Sequence, residues 1–218
     1  MGDETDTGQP GGMEPREVPF LPSSFSLLPS TRLFVLTGAS GAGKDTLLDA
    51  ALKLLPGLER CVTFTTRSPR AGETAGVDYH FVDVPEFRRM IEAGELLEWA
   101  EVYGRYYGNS REWVLGRLRA GVSVVLRIDV QGALTIRKMM PEAVLIFVAP
   151  PGMEELRRRL TSRGSESAEE VRVRMEAAEW EMAQIPAFDY LVVNDQLEDA
   201  VDLVQCILRA EGARISHG

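Results

Sequence analysis

Four apolar runs punctuate the chain: LFVLT at 33–37, VSVVL at 122–126, AVLIFVA at 143–149 and YLVV at 190–193. They are short and do not alternate with polar residues, so each predicts a strand buried on both faces, as in a parallel sheet. After the first comes a glycine-rich turn and a stretch with Leu47, Leu48, Ala51 and Leu54 at helical spacing. Further helical stretches follow the later runs, near 132–140, 153–162 and 196–211. Strand alternating with helix predicts a central parallel sheet covered on both sides, a three-layer α/β fold.

Two stretches break this rhythm. Between about 65 and 112, short aromatic segments (DYHFV, LLEWAEVYG, RYYGNS) surround one short helix, PEFRRMIEAG, which predicts a small mixed α/β lobe inserted into the main domain. Between about 153 and 184 the pattern is helical, with Val171, Met175, Ala178 and Met182 forming one apolar stripe. Residues 1–31 are rich in Gly, Pro, Ser, Thr and acids without a sustained period, and read as a loosely docked tail whose removal leaves activity unchanged. The expected division is therefore a tail (1–31), a domain (32–212) with core segments 32–64, 113–152 and 185–212, the lobe and the helical insertion, and an end tail (213–218).

Charge narrows the partners. The net charge of −9 opposes a general nucleic-acid binder. Within this acidic chain, residues 157–174 gather Arg157, Arg158, Arg159, Arg163, Arg172 and Arg174 against only Glu166, Glu169 and Glu170. Such an island calls for an anionic ligand or for local ion pairs. No apolar run is long enough to span a membrane, and no secretory signal is visible. Cys61 and Cys206 lack metal or disulfide spacing and read as buried thiols of a cytoplasmic protein. A monomer and a homo-oligomer are equally compatible with the pattern.

The strongest chemical signal is GASGAGKDT, comprising Gly38, Ala39, Ser40, Gly41, Ala42, Gly43, Lys44, Asp45 and Thr46, set between a strand and a helix. The glycines let backbone N–H groups converge on phosphate oxygens, the helix N-terminus adds positive potential, and Lys44 reaches the β- and γ-phosphates of ATP. A chance match in a chain of this composition is expected about 0.02 times. The hydroxyl that usually follows the lysine to meet Mg²⁺ is replaced here by Asp45, with Thr46 one place later.

Residues 63–82, TFTTRSPRAGETAGVDYHFV, resemble the acceptor lobe of guanylate kinases, through Thr66, Arg67, Pro69, Arg70, Gly72, Glu73, Gly76, Asp78, Tyr79, Phe81 and Val82. The likeness continues through 96–110, IDVQG (128–132), 160–175 and VVND (192–195), covering about residues 33–210. It implies a P-loop fold with a GMP-binding lobe and a lid, and transfer of a phosphoryl group from Mg·ATP to GMP and dGMP. The chemistry of the residues agrees. Arg67 and Arg70 can fork a monophosphate, Tyr79 and Tyr107 can donate to it, and Glu98 can accept from guanine N1–H and N2–H₂ together. Taken singly, the two tyrosines would be packing residues and Glu98 an exposed strand residue; their joint placement favours a pocket.

By resemblance Thr63, Asn109 and Asp129 complete the GMP pocket, and Arg163 and Arg174 come from the lid to the phosphates, where closing arginines stabilise the moving charge. Arg157, Arg158 and Arg172 fit solvated ion pairs better. The family's acid before I-D-x-Q-G is Arg127 here, predicted to share a strand face with Asp129 and to pair with Asp45. Two other readings remain at this stage: a ribose 1,5-bisphosphate phosphokinase-like enzyme, which G-K-D suggests, and a non-catalytic guanylate-kinase-like interaction module.

Overall fold

The structure, a computed structural model, describes residues 31–53, 55, 57–162 and 168–214. The expectations for the N-terminal tail up to residue 30, for Leu54, for Arg163 and for residues 215–218 lie outside the described residues.

The main sheet has five parallel strands: β1 (Leu33–Gly38), β2 (Leu58–Arg60), β7 (Ser123–Arg127), β8 (Val144–Ala149) and β9 (Tyr190–Val193), in the order β2-β7-β1-β8-β9. All but β2 match the apolar runs. Side chains alternate between two cores, as the pleat requires. Phe34, Leu36, Val125, Ile146 and Val148 face α1 (Lys44–Leu52), α5 (Met153–Ser162), α6 (Ala168–Ala183) and α7 (Leu197–Gly212). Leu33, Val35, Val124, Leu126 and Leu145 face α3 (Arg111–Arg119) and α4 (Val130–Met139). β9 departs from the expectation of burial on both faces. It is an edge strand, and Leu191 and Val193 are exposed.

A second sheet, β4-β3-β6-β5, is built from β3 (Thr63–Thr65), β4 (Tyr79–Phe81), β5 (Leu96–Val102) and β6 (Arg105–Ser110). The helix α2 (Val84–Glu92), capped by Asp83, supplies Phe87 and Met90 to its small core with Leu96. β5 and β6 meet in a two-residue turn, Tyr103–Gly104, with φ of 49° and 70°. A tyrosine in the left-handed region is uncommon, since its Cβ crowds the backbone there.

Cys61 is buried, and its thiol is pushed up to about 12 by that burial. Cys206 is exposed, contrary to expectation. Helix α7 turns Ala200, Val201, Val204, Ile207 and Leu208 inward, and Cys206 falls on the opposite face. Among the described residues no helix is long and apolar enough to cross a membrane.

Candidate active site

β1 is the central strand, with the chain returning to the sheet on either side of it as β7 and β8. Ligands of such sheets sit beyond the strands' C-terminal ends at this reversal. Here the sequence GASGAGK turns back into α1. The turn depends on its three glycines. Gly38, Gly41 and Gly43 all have positive φ, and a Cβ at Gly38 would lie 2.0 Å from the Val148 carbonyl oxygen. One at Gly43 would lie 2.6 Å from Asn194 Nδ2, which itself donates to Ala42 O at 2.7 Å. Ala39 and Ala42 are buried beneath the loop, while Gly38, Ser40, Gly41, Gly43, Lys44, Asp45 and Thr46 line a cleft of about 260 Å³.

The opposite wall of the same cleft comes from the second sheet. Thr63, Arg70, Tyr79, Glu98 and Tyr107 line it, together with Asp129 and Arg127 below and Arg174 and Glu181 from α6. Glu98 is 3% exposed. Its Oε1 accepts from Asn109 Nδ2 at 2.7 Å, and Asn109 Oδ1 in turn accepts from the Thr63 hydroxyl at 3.1 Å. Asn109 therefore stands behind Glu98 rather than on the cleft surface. Burial pushes the Glu98 carboxyl up to about 7, against the pull of Asn109 and with help from the Asp129 charge. Close approach of α4 encloses it further, since a Cβ on Gly132 would be 2.5 Å from Glu98 Oε2.

Asp129 corrects one expectation: it is not on the strand with Arg127, because β7 ends at Arg127. It is the N-cap of α4, its Oδ1 accepting from the amides of Gln131 and Gly132 at 2.8 and 3.2 Å. Both residues still reach the cleft. The pairing expected of Arg127 is present, with Nε 3.6 Å from Asp45 Oδ1. Arg67 stands apart from the cleft lining. It is held bidentately by Glu73 at 2.7 and 3.0 Å, with its Cζ 5.2 Å from the Tyr79 ring. That hydrogen bonding raises Arg67 above the usual guanidinium range and lowers Glu73.

In the arginine island, Arg158 and Arg159 pair with Glu155, and Arg172 with Glu169 and Glu176, so these are local ion pairs. Arg174 instead lies at the cleft, 5.6 Å from the Tyr103 ring at the tip of the β5–β6 turn. Glu181 carries no motif that singles it out in the sequence. Its Oε2 accepts from Ser40 N at 3.1 Å, tying α6 to the phosphate loop. It lies seven residues, two helical turns, from Arg174, so the α-helical period places both on one face. Burial raises its carboxyl, opposed by the Ser40 amide and the Lys44 charge.

A glycine cradle after a central parallel strand, with a lysine opening the next helix, defines a nucleotide-binding protein of the P-loop class. The family model for guanylate kinase matches residues 30–211. A guanylate kinase of Dechloromonas aromatica is 47% identical over 180 residues, 83% of this chain and 89% of its own length. One from Thermus thermophilus is 49% identical over 183 residues, 84% of this chain and 83% of its own. The crystal structure of guanylate kinase from Anaplasma phagocytophilum superposes with a TM-score of 0.73 at 37% identity, covering 86% of this chain and 89% of that one. The chain belongs to the guanylate kinase family.

Proposed function

We propose that this protein is an ATP:GMP phosphotransferase, converting ATP and GMP to ADP and GDP and accepting dGMP as well. The observation that carries the reading is the joint presence, in one cleft, of the glycine cradle with Lys44 and of a buried carboxylate, Glu98, backed by Asn109 and Thr63. In this reading the loop amides and Lys44 hold the ATP phosphates. Arg70, Tyr79 and Tyr107, with Arg67 behind Tyr79, hold the GMP phosphate. Glu98, Thr63, Asn109 and Asp129 read guanine, whose two adjacent donors match one carboxylate, whereas adenine presents no such pair. Transfer is direct and in line, and the arginines serve it by stabilising charge on the moving group.

The acceptor lobe (about 65–112) and the lid (about 153–184, with Arg174 and Arg163) close over the substrates and exclude water. Mg²⁺ fits the donors present. Asp129 uses Oδ1 for its helix cap, and its second oxygen is engaged by no described residue. With Thr46 it would hold an ion otherwise coordinated by phosphate oxygens and water, the usual habit of Mg²⁺. The ion supplies charge neutralisation between the phosphates. A cytoplasmic place in purine nucleotide metabolism accompanies this reading.

The test is kcat/KM for GMP, dGMP, AMP, UMP and CMP with Mg·ATP. Preference for GMP and dGMP by about a hundredfold or more is expected, since unpaired buried polar groups penalise a wrong base. Equal use of AMP, or of ribose 1,5-bisphosphate, would reject it.

A further inference from the structure

Arg127 is a cation that the phosphotransfer scheme above does not use. It ends β7 beside Leu36 of β1, two residues before the phosphate loop begins. Its side chain is only 9% exposed, yet it lines the cleft. Arg67 offers the useful contrast. Its guanidinium is held by two bonds to Glu73, at 2.7 and 3.0 Å, and one to Ser68 O at 2.8 Å. Arg127 has a single, longer ion pair through Nε to Asp45, and its Cζ lies 5.5 Å from the Tyr79 ring. A guanidinium carries five N–H donors in a planar fork, and a buried one needs them matched. Among the described residues Asp45 is its one carboxylate ion-pair partner, and the Tyr79 hydroxyl also hydrogen-bonds with it, which leaves part of the fork's five donors for a ligand. Burial works against its charge, while Asp45, the Tyr79 phenol and Asp49 favour it and prevail.

We infer that Arg127 is a substrate-binding residue whose Nη groups take an oxygen of the acceptor monophosphate, and that Asp45 is the positioning residue that holds it there. The inference rests on the GMP-kinase reading and adds to it a contact on this chain's own residues. A phosphate oxygen is the matching partner for a guanidinium fork. The acceptor phosphate is preferred over the donor's because Arg127 lies against Tyr79 of the acceptor sheet. The Asp45 carboxylate occupies the loop side, where it repels a triphosphate and attracts the guanidinium. An anion and a cation introduced at two neighbouring points of the cleft thus cancel, and the surplus hydrogen-bonding capacity faces GMP.

The test is calorimetric titration of the full chain with GMP alone in EDTA, and separately with a non-hydrolysable ATP analogue. In Arg127→Ala the GMP Kd should weaken about tenfold or more, the size of a lost charged hydrogen bond. The analogue's Kd should move less than about threefold, since its phosphates are held elsewhere. Arg127→Lys, which keeps a charge without the fork, should recover part of the loss, and it preserves the test if the alanine variant does not fold. Asp45→Asn should weaken GMP in the wild-type background and have no further effect on Arg127→Ala. Unchanged GMP affinity in Arg127→Ala, or a larger loss for the ATP analogue than for GMP, overturns the inference and leaves the kinase reading standing. A wild-type chain that binds the analogue but not GMP overturns both.

Discussion

In the proposed reading the two walls of the cleft solve the same problem, holding phosphate, with different materials. The donor wall is main chain, in which three glycines at positive φ shape the loop between β1 and α1. The acceptor wall is side chain, with arginines, tyrosines and a buried glutamate mounted on a separate sheet and held by one another. Main-chain geometry is set by a few residues adjacent in sequence, so it tolerates little substitution within the loop. The acceptor wall is distributed over 63–129, and each member can be changed with a graded effect.

The comparison is broken most severely at the donor wall. Lys44→Ala should lower kcat by at least about a hundredfold while leaving GMP affinity intact. A steady-state coupled assay beside GMP titration checks both, and retention of more than about a tenth of wild-type kcat would remove the donor-site assignment. Next in size, Gly43→Ala must place a methyl group 2.6 Å from Asn194 Nδ2 at φ 85°. A loss of about 2–3 kcal/mol in denaturant unfolding is expected, together with loss of ATP binding.

On the acceptor wall, Glu98→Gln should lower kcat/KM for GMP about tenfold and yet stabilise the fold above neutrality. The native carboxyl titrates at about 7, above its ordinary value of 4.5. Between those values the native state keeps a proton that the unfolded chain has lost. Wild-type stability therefore falls as pH rises through this window, by on the order of 3 kcal/mol in full. At pH 8 the glutamine variant should melt higher than wild type, with the advantage shrinking toward pH 4.5. Because guanine needs the charged acceptor, KM for GMP should improve in wild type as pH rises through 7 and stay flat in the variant. A variant that melts lower at every pH would show that Glu98 is not held against its charge. The smallest effect belongs to the lid's outer face. Among the described residues Arg172 is engaged only by Glu169 and Glu176 in exposed pairs, so Arg172→Ala should leave both Tm and kcat unchanged.

The same division explains what can be read from the chain before its fold. The phosphate loop is legible because its residues are contiguous and their spacing is the mechanism. β1, β7 and β8 are legible because burial on both faces leaves an unbroken apolar run. β2 (LER) is not, since a three-residue edge strand carries no such run, and YLVV of β9 looks the same at an edge as at the centre. Glu98, Tyr79 and Tyr107 need the family string, as each alone resembles an ordinary strand residue. Glu181 leaves only a faint cue, its distance of two helical turns from Arg174. Asn194, inside the recognised VVND, gives no hint that its amide lies under Gly43. Asp129 reads as a strand residue because an N-cap and a strand end look alike until the amides of Gln131 and Gly132 are seen to turn toward it.

Gly132 gives the acceptor wall its own inflexible point. The helix α4 can begin where it does, against Glu98, only because residue 132 has no side chain. A single nucleotide change in that codon, to alanine, would push a methyl group into the Glu98 carboxylate. The start of one helix and the setting of a buried carboxylate on the second sheet are therefore tied to a single position.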